Sequence, residues 1–597
     1  MKSVAEDAAY RFDRILLTQW ERNSEQTAIV DGDQTVTYGE LRARVVHMAG
    51  VLRERGIGPG VRAAVYLERS VDFAVSILGV IFAGGSHIAF DVNDPPHRFA
   101  QMMEDCTPRL LITSPALRPN LPEDLVTEVV TIGECVATRL KNPLDSSLTQ
   151  ADQPALMIYT SGSTGHPKAS VISHRALSLR LSSVQRAHPM DENDRIIHHT
   201  SCSFDMYLVE LYWPLMVGAT VVIASPRRYR DANYLAELIS RHEITTFYCV
   251  VSLLDLFLLA RDPAERYDGL RQVLTGGEQL SKELVKKFYA RSNASLTNMY
   301  GPSECTIYCT EWECPRDPEL ETVLIGSAIE DTSLWILDAD GRPVPDGEAG
   351  ELYIGGPGIA LGYLNRPQLT AERFVSDHLG DSDGRLYRSG DLVMARPNGE
   401  LEFLGRMDRQ VKIRGFRIEL EEIESVAMRC ENVRQAAVVA HGSGHDTRLV
   451  TLVVGEPGAD SSHVRADVYE ASRKWLPQHM VPAAVLVVDC FPLTANGKLD
   501  RSLLTEWAAA AVPVTTADQD RPAAGLESAV ADIWCEVLGV SSIGRHDDFF
   551  DIGGNSFNVV RVVEKLESRM GIRVAMSVLL FEPTLAKFTE ALAGLQS

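Results

Sequence analysis

The segment YTSGSTGHPKAS, residues 159–170, sets Thr160, Ser161, Ser163 and Thr164 around Gly162 and Gly165 and closes on Lys168. Glycines let successive backbone N–H groups turn toward one point, and hydroxyls and an ammonium add further donors, so the stretch is suited to wrapping an anion. It is not a Walker A loop, because the order G-x-x-x-x-G-K-[ST] is absent and Pro167 precedes the lysine. Taken alone, the same composition also fits a solvated linker.

Other residues capable of chemistry are scattered along the chain. Asp205 lies in SFDMYLVEL, Glu304 ends NMYGPSE, Asp391 ends YRSGD, Lys498 sits in NGKLDR and Ser556 ends DDFFDIGGNS. Each has an ordinary alternative: a surface carboxylate, an exposed lysine on an Asn-Gly turn, a serine capping a helix. The elements around them must decide.

From about residue 25 to 330, short β-rich runs such as AAVYL (63–67), HIAF (87–90), TTFYCVV (245–251) and QVLTGG (272–277) alternate with amphipathic helical patterns. That alternation predicts α/β architecture with largely parallel sheets covered on both faces. Between about 331 and 407, strands with Gly/Pro/Asp turns predict an antiparallel, β-barrel-like subdomain. RQVKIRGFRIEL (409–420) then opens a smaller α+β unit closing near Arg501. The Ala/Pro/Thr/Asp-rich stretch 508–525 reads as a linker. Beyond it, Phe557, Val560, Val563, Leu566 and Met570 recur at helical spacing, with Gly571 as a stop, as in a helical bundle. The expected organisation is 1–407, 408–507, linker 508–525 and 526–597.

The 597 residues carry a net charge of −23, which argues against a nucleic-acid partner but leaves room for a nucleotide pocket lined by local donors. The ten cysteines form no CxxC pairs, and Cys305, Cys309 and Cys314 read as strand and loop thiols rather than metal ligands. The N-terminus lacks the apolar core of a secretion signal, and no run reaches the ~18 apolar residues of a membrane span. A reduced, cytoplasmic protein with no membrane partner is expected.

Taken in order, TYGEL (37–41), the 159–170 loop, SFDMYLVEL (203–211), NMYGPSE (298–304), GELYIGGPGIALGYL (350–364), YRSGD (387–391), GRMDRQVKIRGFRIELEEIE (405–424), LPQHMVP (476–482) and NGKLDR (496–501) resemble the motif series of nonribosomal peptide synthetase adenylation domains. These belong to the adenylate-forming (ANL) superfamily. DDFFDIGGNS (547–556) resembles the attachment motif of a peptidyl carrier domain. The resemblance implies a ligase that activates an amino acid with ATP and Mg2+ as the aminoacyl adenylate. It then loads the acyl group onto 4′-phosphopantetheine on Ser556.

It also implies site residues. Thr160, Ser161, Gly162, Ser163, Thr164, Gly165 and Lys168 would hold phosphates, with Gly277, Asn298, Tyr300, Gly301, Ser303 and Phe403 around the nucleotide. Asp391 would hold the ribose and Arg406 the ribose and phosphate. Glu304, assisted by Thr164, would bind the metal, and Lys498 would neutralise charge at the reacting carboxylate and α-phosphate. Asp408 matches the hinge position, and Asp205 would pair with the substrate amine. The family's specificity positions fall on Met206, Val209, Tyr248, Leu274, Gly276, Met299, Ile307 and Tyr308. They carry no charge, which predicts a neutral, small-to-medium, aliphatic or proline-like amino acid. Gly276 is expected to leave room on one wall.

Ala169, Leu361 and Phe403 depart from the family's usual residues, and FAGGSHIAFD lacks its usual Lys, Tyr and Pro; none removes a charged group expected to act. HHTSCSFD begins like the condensation motif HHxxxDG but has Ser203 and Phe204 at its DG positions. GGNSFN is not a GxSxG elbow, since Asn558 stands at the last glycine. A phosphopantetheinyl transferase, downstream tailoring or condensation enzymes, and an MbtH-like protein near NRPQLTAERF (365–374) are the implied partners. The rival readings are an aryl- or acyl-acid ligase fused to a carrier, and an inactive scaffold carrier.

Overall fold

The computed structural model describes residues 10–139, 150–162, 165–226, 228, 231–259, 269–380, 384–442, 447–494, 496, 498–509, 520–550, 552–554, 556–574 and 576–596. They form two compact units. The first comprises Met1–Thr160, Pro167–Tyr229 and Asn233–Arg409; the second comprises Ser161–His166, Arg230–Ala232 and Gln410–Ser597.

In the first unit, the alternating runs become two mixed sheets. A nine-stranded sheet places Ser295–Tyr300, Gln272–Gly276, Thr246–Val250, Arg195–His198, Thr220–Ile223 and Thr27–Asp31 side by side and mutually parallel. Antiparallel strands finish both edges. A seven-stranded sheet contains parallel Pro154–Thr160, Ser86–Ala89, Arg62–Tyr66, Leu110–Thr113 and Glu128–Thr131, with antiparallel Lys168–Ser173 and Gly362–Tyr363 at one edge.

Helices between the strands begin and end for local reasons. Thr37 and Glu40 form a reciprocal cap on Tyr38–Glu54. Ser70 caps Val71–Ala83, which Gly84 stops at φ 88°. Helix Tyr207–Val217 is almost entirely apolar and buried through most of its length, so it is a core helix rather than a surface one.

The turn-rich stretch after 331 forms a five-stranded antiparallel sheet built on Ser333–Leu337, Ala349–Gly355 and Arg385–Ala395, with Phe374–Ser376 and Leu401–Arg406 pairing the last of these.

The second unit opens with the hairpin Val411–Ile413/Phe416–Ile418, turned by Arg414 and Gly415 at φ 53° and 81°. Helix Leu420–Ala427 and the sheet Val433–His441, Arg448–Gly455, Ala484–Val488 follow. Helix Arg501–Ala509 reaches into the expected linker, with Ala508 buried. Residues 510–519 of that expected linker lie outside the described residues. The last helices are Leu526–Leu538, Ser556–Met570, Met576–Phe581 and Leu585–Gln596. The buried stripe of Ser556–Met570 is Val559, Val562 and Leu566, not the expected series through Val560 and Val563. Two valine doublets make both phases plausible by spacing, and packing against the neighbouring helices selects one.

Candidate functional site

Strand register brings several of the expected specificity positions together. Leu274 lies opposite Tyr248, and Gly276 lies opposite both Val250 and Met299. Residues paired across strands share a face, so Tyr248, Leu274, Gly276 and Met299 occupy one face near the C-terminal ends of parallel strands. Met206, Val209, Tyr248, Leu274, Met299, Ile307 and Tyr308 all belong to one buried apolar cluster. Gly276 has a packing reason of its own. A Cβ there would stand 2.3 Å from Met299 O, so close strand approach requires the glycine.

Asp205 is the charged member of this group and is only 8% exposed. Ile307 N–H donates to its Oδ2 at 3.3 Å, and Ser303 adds a side-chain hydrogen bond. Burial pushes the Asp205 carboxyl up to about 6, against the pull of those donors. Such a carboxylate is under-compensated and suited to a cation.

Sequence reasoning missed the polar layer beneath the pocket. Glu210, fully buried on helix Tyr207–Val217, accepts from His199 N–H (2.9 Å), Thr200 N–H (2.8 Å), Thr200 Oγ1 (2.5 Å) and His198 Nδ1 (3.1 Å). Burial alone would raise it, but the two histidines and Thr200 hold it down to about 2. His199 Nε2 donates to Tyr248 O at 2.8 Å. The HH pair is therefore internal scaffolding for the strand end at 198–200. A lone glutamate inside an otherwise apolar helix was the available signal, because a buried carboxylate needs donors.

The expected nucleotide residues of the first unit form two groups. In one, Asp391 accepts from the Tyr300 hydroxyl and from Arg406 Nη1 (2.7 Å), while Arg406 Nε donates to Asp408 (2.9 Å). The Phe403 ring lies 6.2 Å from that of Tyr300. Asn298 Nδ2 donates to Leu324 O at 2.8 Å, and Gly301 packs so closely that a Cβ would meet Tyr308 Cα at 2.4 Å. Gly277 follows the neighbouring strand at φ 82°.

In the other group, Glu304 is fully buried and its Oε1 accepts from the Tyr363 hydroxyl at 2.6 Å. Lys168 Nζ stands 5.2 Å from the Tyr363 ring centroid. Tyr363 thus joins two expected site residues, although sequence reasoning did not single it out. Segment 360–364 reaches them by pairing with Lys168–Ser173: Leu361 N–H donates to Val171 O and Leu364 N–H to Ala169 O. Thr160 Oγ1 donates to Lys168 O at 3.4 Å. Among the described residues, no cluster of three or more His, Cys, Asp or Glu could hold a metal alone. A Mg2+ bound through one carboxylate and substrate phosphates needs no such cluster, and Glu304 supplies a carboxylate of the right hardness.

Ser163 and Thr164 lie outside the described residues. Ser161 and Gly162 belong to the second unit, where Ser161 Oγ donates to Arg417 O (2.7 Å) and Gly162 N–H donates to Glu422 Oε2 (3.0 Å). Gly165 there has φ 80°. Lys498 also lies in the second unit, with an exposed side chain. Its turn is closed by Thr494 N–H donating to Lys498 O (2.7 Å) and Lys498 N–H donating to Thr494 Oγ1 (3.2 Å). Ser556 opens the helix Ser556–Met570. Just before it, Gly554 packs against Phe549, whose carbonyl a Cβ would meet at 2.3 Å. A phosphate esterified at a helix start meets unpaired N–H groups, so this position fits a phosphopantetheine arm.

Three family models match the chain in order: AMP-binding enzyme over residues 16–364, AMP-binding enzyme C-terminal domain over 422–498, and phosphopantetheine attachment site over 528–592. The chain is 37% identical over 596 residues to tyrocidine synthase 3 of Brevibacillus parabrevis, covering 99% of this chain and 9% of that protein. It is 36% identical over 590 residues to phosphinothricin tripeptide synthetase PhsB of Streptomyces viridochromogenes, covering 98% of this chain and 49% of that one. The chain thus spans less than half the length of either relative. Among solved structures, it resembles holo-PA1221, an NRPS protein containing adenylation and PCP domains, at TM-score 0.79 and 26% identity, covering 98% of this chain and 96% of that one. The order of the three matched segments follows the order of the folded parts, and the chain belongs to the AMP-binding enzyme family as an adenylation domain followed by a peptidyl carrier domain.

Proposed function

We propose that the chain activates a neutral, small-to-medium amino acid and loads it onto its own carrier domain for peptide-type biosynthesis. The substrate carboxylate attacks the α-phosphorus of ATP, giving aminoacyl-AMP and pyrophosphate. Ser556 would carry a phosphopantetheine arm, whose thiol would accept the acyl group as AMP is released.

In this reading Tyr300 and Phe403 flank the base and Asn298 presents its amide to the base edge. Asp391 accepts from the ribose, and Arg406 holds Asp391 in place while offering charge to the ribose and phosphate. Glu304, oriented by Tyr363, would hold the Mg2+, with Thr164 assisting. Lys168 and the 160–165 loop would supply donors to the phosphates. Lys498 stabilises the charge that concentrates between carboxylate and α-phosphate. Asp408 serves as the hinge between a core ending at 407 and a small domain over 408–507, followed by the linker 508–525 and the carrier 526–597. Helix Pro367–Arg373 buries none of its residues and is the surface proposed for an MbtH-like partner. A phosphopantetheinyl transferase would modify Ser556, and separate tailoring or condensation enzymes would take the tethered product.

One observation carries the amino-acid reading: Asp205 is a buried, under-compensated carboxylate in an otherwise apolar wall. An aryl- or acyl-acid ligase would have no cation to offer it. ATP–pyrophosphate exchange across amino acids and their amine-free analogues tests the choice. Exchange led by a neutral aliphatic or proline-like amino acid is expected; exchange led by amine-free or charged acids would overturn it.

A further inference from the structure

Arg180 lies on helix His174–Ala187 with its side chain buried, and only 3% of the residue is exposed. Its Nε donates to Thr306 O (3.0 Å), one Nη to Cys305 O (2.9 Å) and the other to Thr332 Oγ1 (3.2 Å). The guanidinium also faces the Tyr308 ring at 5.7 Å. Among the described residues it makes no ion pair with a carboxylate. Burying a cation without a counter-ion is costly, and Met would fill the same space without that penalty.

The two carbonyls it grips precede an unusual piece of backbone. Thr306 and Ile307 have φ of 57° and 77°, and Tyr308 N–H donates to Thr306 O, closing a three-residue turn around Ile307. A β-branched residue at positive φ is strained, and such geometry persists only where its surroundings over-determine it. Ile307 is also the residue whose N–H reaches Asp205 Oδ2.

We propose that Arg180 is a positioning residue for substrate selection: by gripping Cys305 O and Thr306 O it holds the strained Ile307 turn, which aims the Ile307 N–H at Asp205 and fixes that carboxylate for the substrate amine. The inference rests on reading Asp205 as the amine ligand. It assigns amine discrimination to a guanidinium that touches neither substrate nor Asp205.

Gly358 provides a second way to disturb the grip. A Cβ there would stand 2.3 Å from an Arg180 Nη atom, the mobile end of a long side chain, so Gly358→Ala shifts the guanidinium without deleting it.

The test is ATP–pyrophosphate exchange with the full chain, comparing the preferred amino acid with its 2-hydroxy acid analogue. Variants are Arg180→Met, Arg180→Lys, Gly358→Ala and, as reference, Asp205→Asn. In Arg180→Met, kcat/KM for the amino acid should fall about ten- to a hundredfold, chiefly through KM. ATP KM and the hydroxy-acid values should move less than about twofold, so that the amine preference collapses. Arg180→Lys, which keeps the charge but not the fork, should fall between wild type and Arg180→Met, and Gly358→Ala should shift in the same direction. If Arg180→Met does not fold, the other two variants decide. Parallel losses for amino acid, hydroxy acid and ATP, or an unchanged amine preference in the folded variants, would overturn the proposal. If Asp205→Asn abolishes amine preference while the Arg180 and Gly358 variants retain it, this inference alone fails. If wild type shows no amine preference, the reading of Asp205 fails first.

Discussion

Arg406 holds Asp391 at 2.7 Å and, through its other edge, Asp408 at 2.9 Å. The proposed ribose ligand and the proposed hinge are thus linked through one guanidinium. Asp391 is only 3% exposed, so it depends on Arg406 and Tyr300 for compensation. Removing one partner of a buried charge pair costs ~3–5 kcal/mol in comparable settings.

Arg406→Ala is therefore expected to raise the KM for ATP strongly and to lower kcat/KM for ATP about a hundredfold or more. Phosphopantetheinylation of Ser556 should be unaffected. Exchange kinetics at varied ATP, with intact-mass analysis of the carrier, check both halves. An unchanged ATP dependence would remove Arg406 from the nucleotide site.

The Asp205 carboxyl gives a pH prediction. Its value of about 6 lies above the ordinary 3.8 because burial disfavours the charge. An ammonium binds the ionised form, so kcat/KM for the amino acid should climb as pH rises toward 6 and level above it. The 2-hydroxy acid should show no such step. Stability runs the other way: the folded protein retains a proton that the unfolded chain releases. This contribution is full below about pH 4 and is lost as pH rises through about 6. Asp205→Asn should then stabilise the ligand-free protein at pH 8 by ~2–3 kcal/mol, and less at pH 5, in denaturant unfolding. Equal effects at both pH values would contradict the assigned burial.

Much of the fold was readable because strand and helix periods alternate so regularly before residue 330. AAVYL became Arg62–Tyr66 and QVLTGG became Gln272–Gly276, each displaced by a residue or so. The carrier helix was misphased because VV doublets satisfy two helical faces equally, and only packing distinguishes Val559 and Val562 from Val560 and Val563. The supporting residues were harder to find for a different reason. Tyr363 meets Glu304, and Arg180 meets Cys305 and Thr306, across long sequence separations, so no local pattern announces them. The sequence offers Gly276 only as space for substrate, while the close Met299 carbonyl that also requires a glycine there is visible only in the register.

Lys498 separates the two half-reactions. Its side chain is exposed on a turn of the second unit, so Lys498→Ala removes no packing. Pyrophosphate exchange should fall about a hundredfold or more, while transfer from pre-formed aminoacyl adenylate to the holo carrier stays within about threefold. Exchange at the wild-type rate would exclude it from the adenylation step.

One chain is expected both to activate an amino acid and to receive it. That expectation is tested most directly by intact-protein mass spectrometry of the holo form incubated with ATP, Mg2+ and a panel of neutral amino acids. A mass increase of one aminoacyl group is expected, reversed by hydroxylamine and mapped to the arm on Ser556. Ser556→Ala should show no increase, although that variant should keep full pyrophosphate exchange. No increase with any amino acid, or an increase that persists in Ser556→Ala, would contradict it.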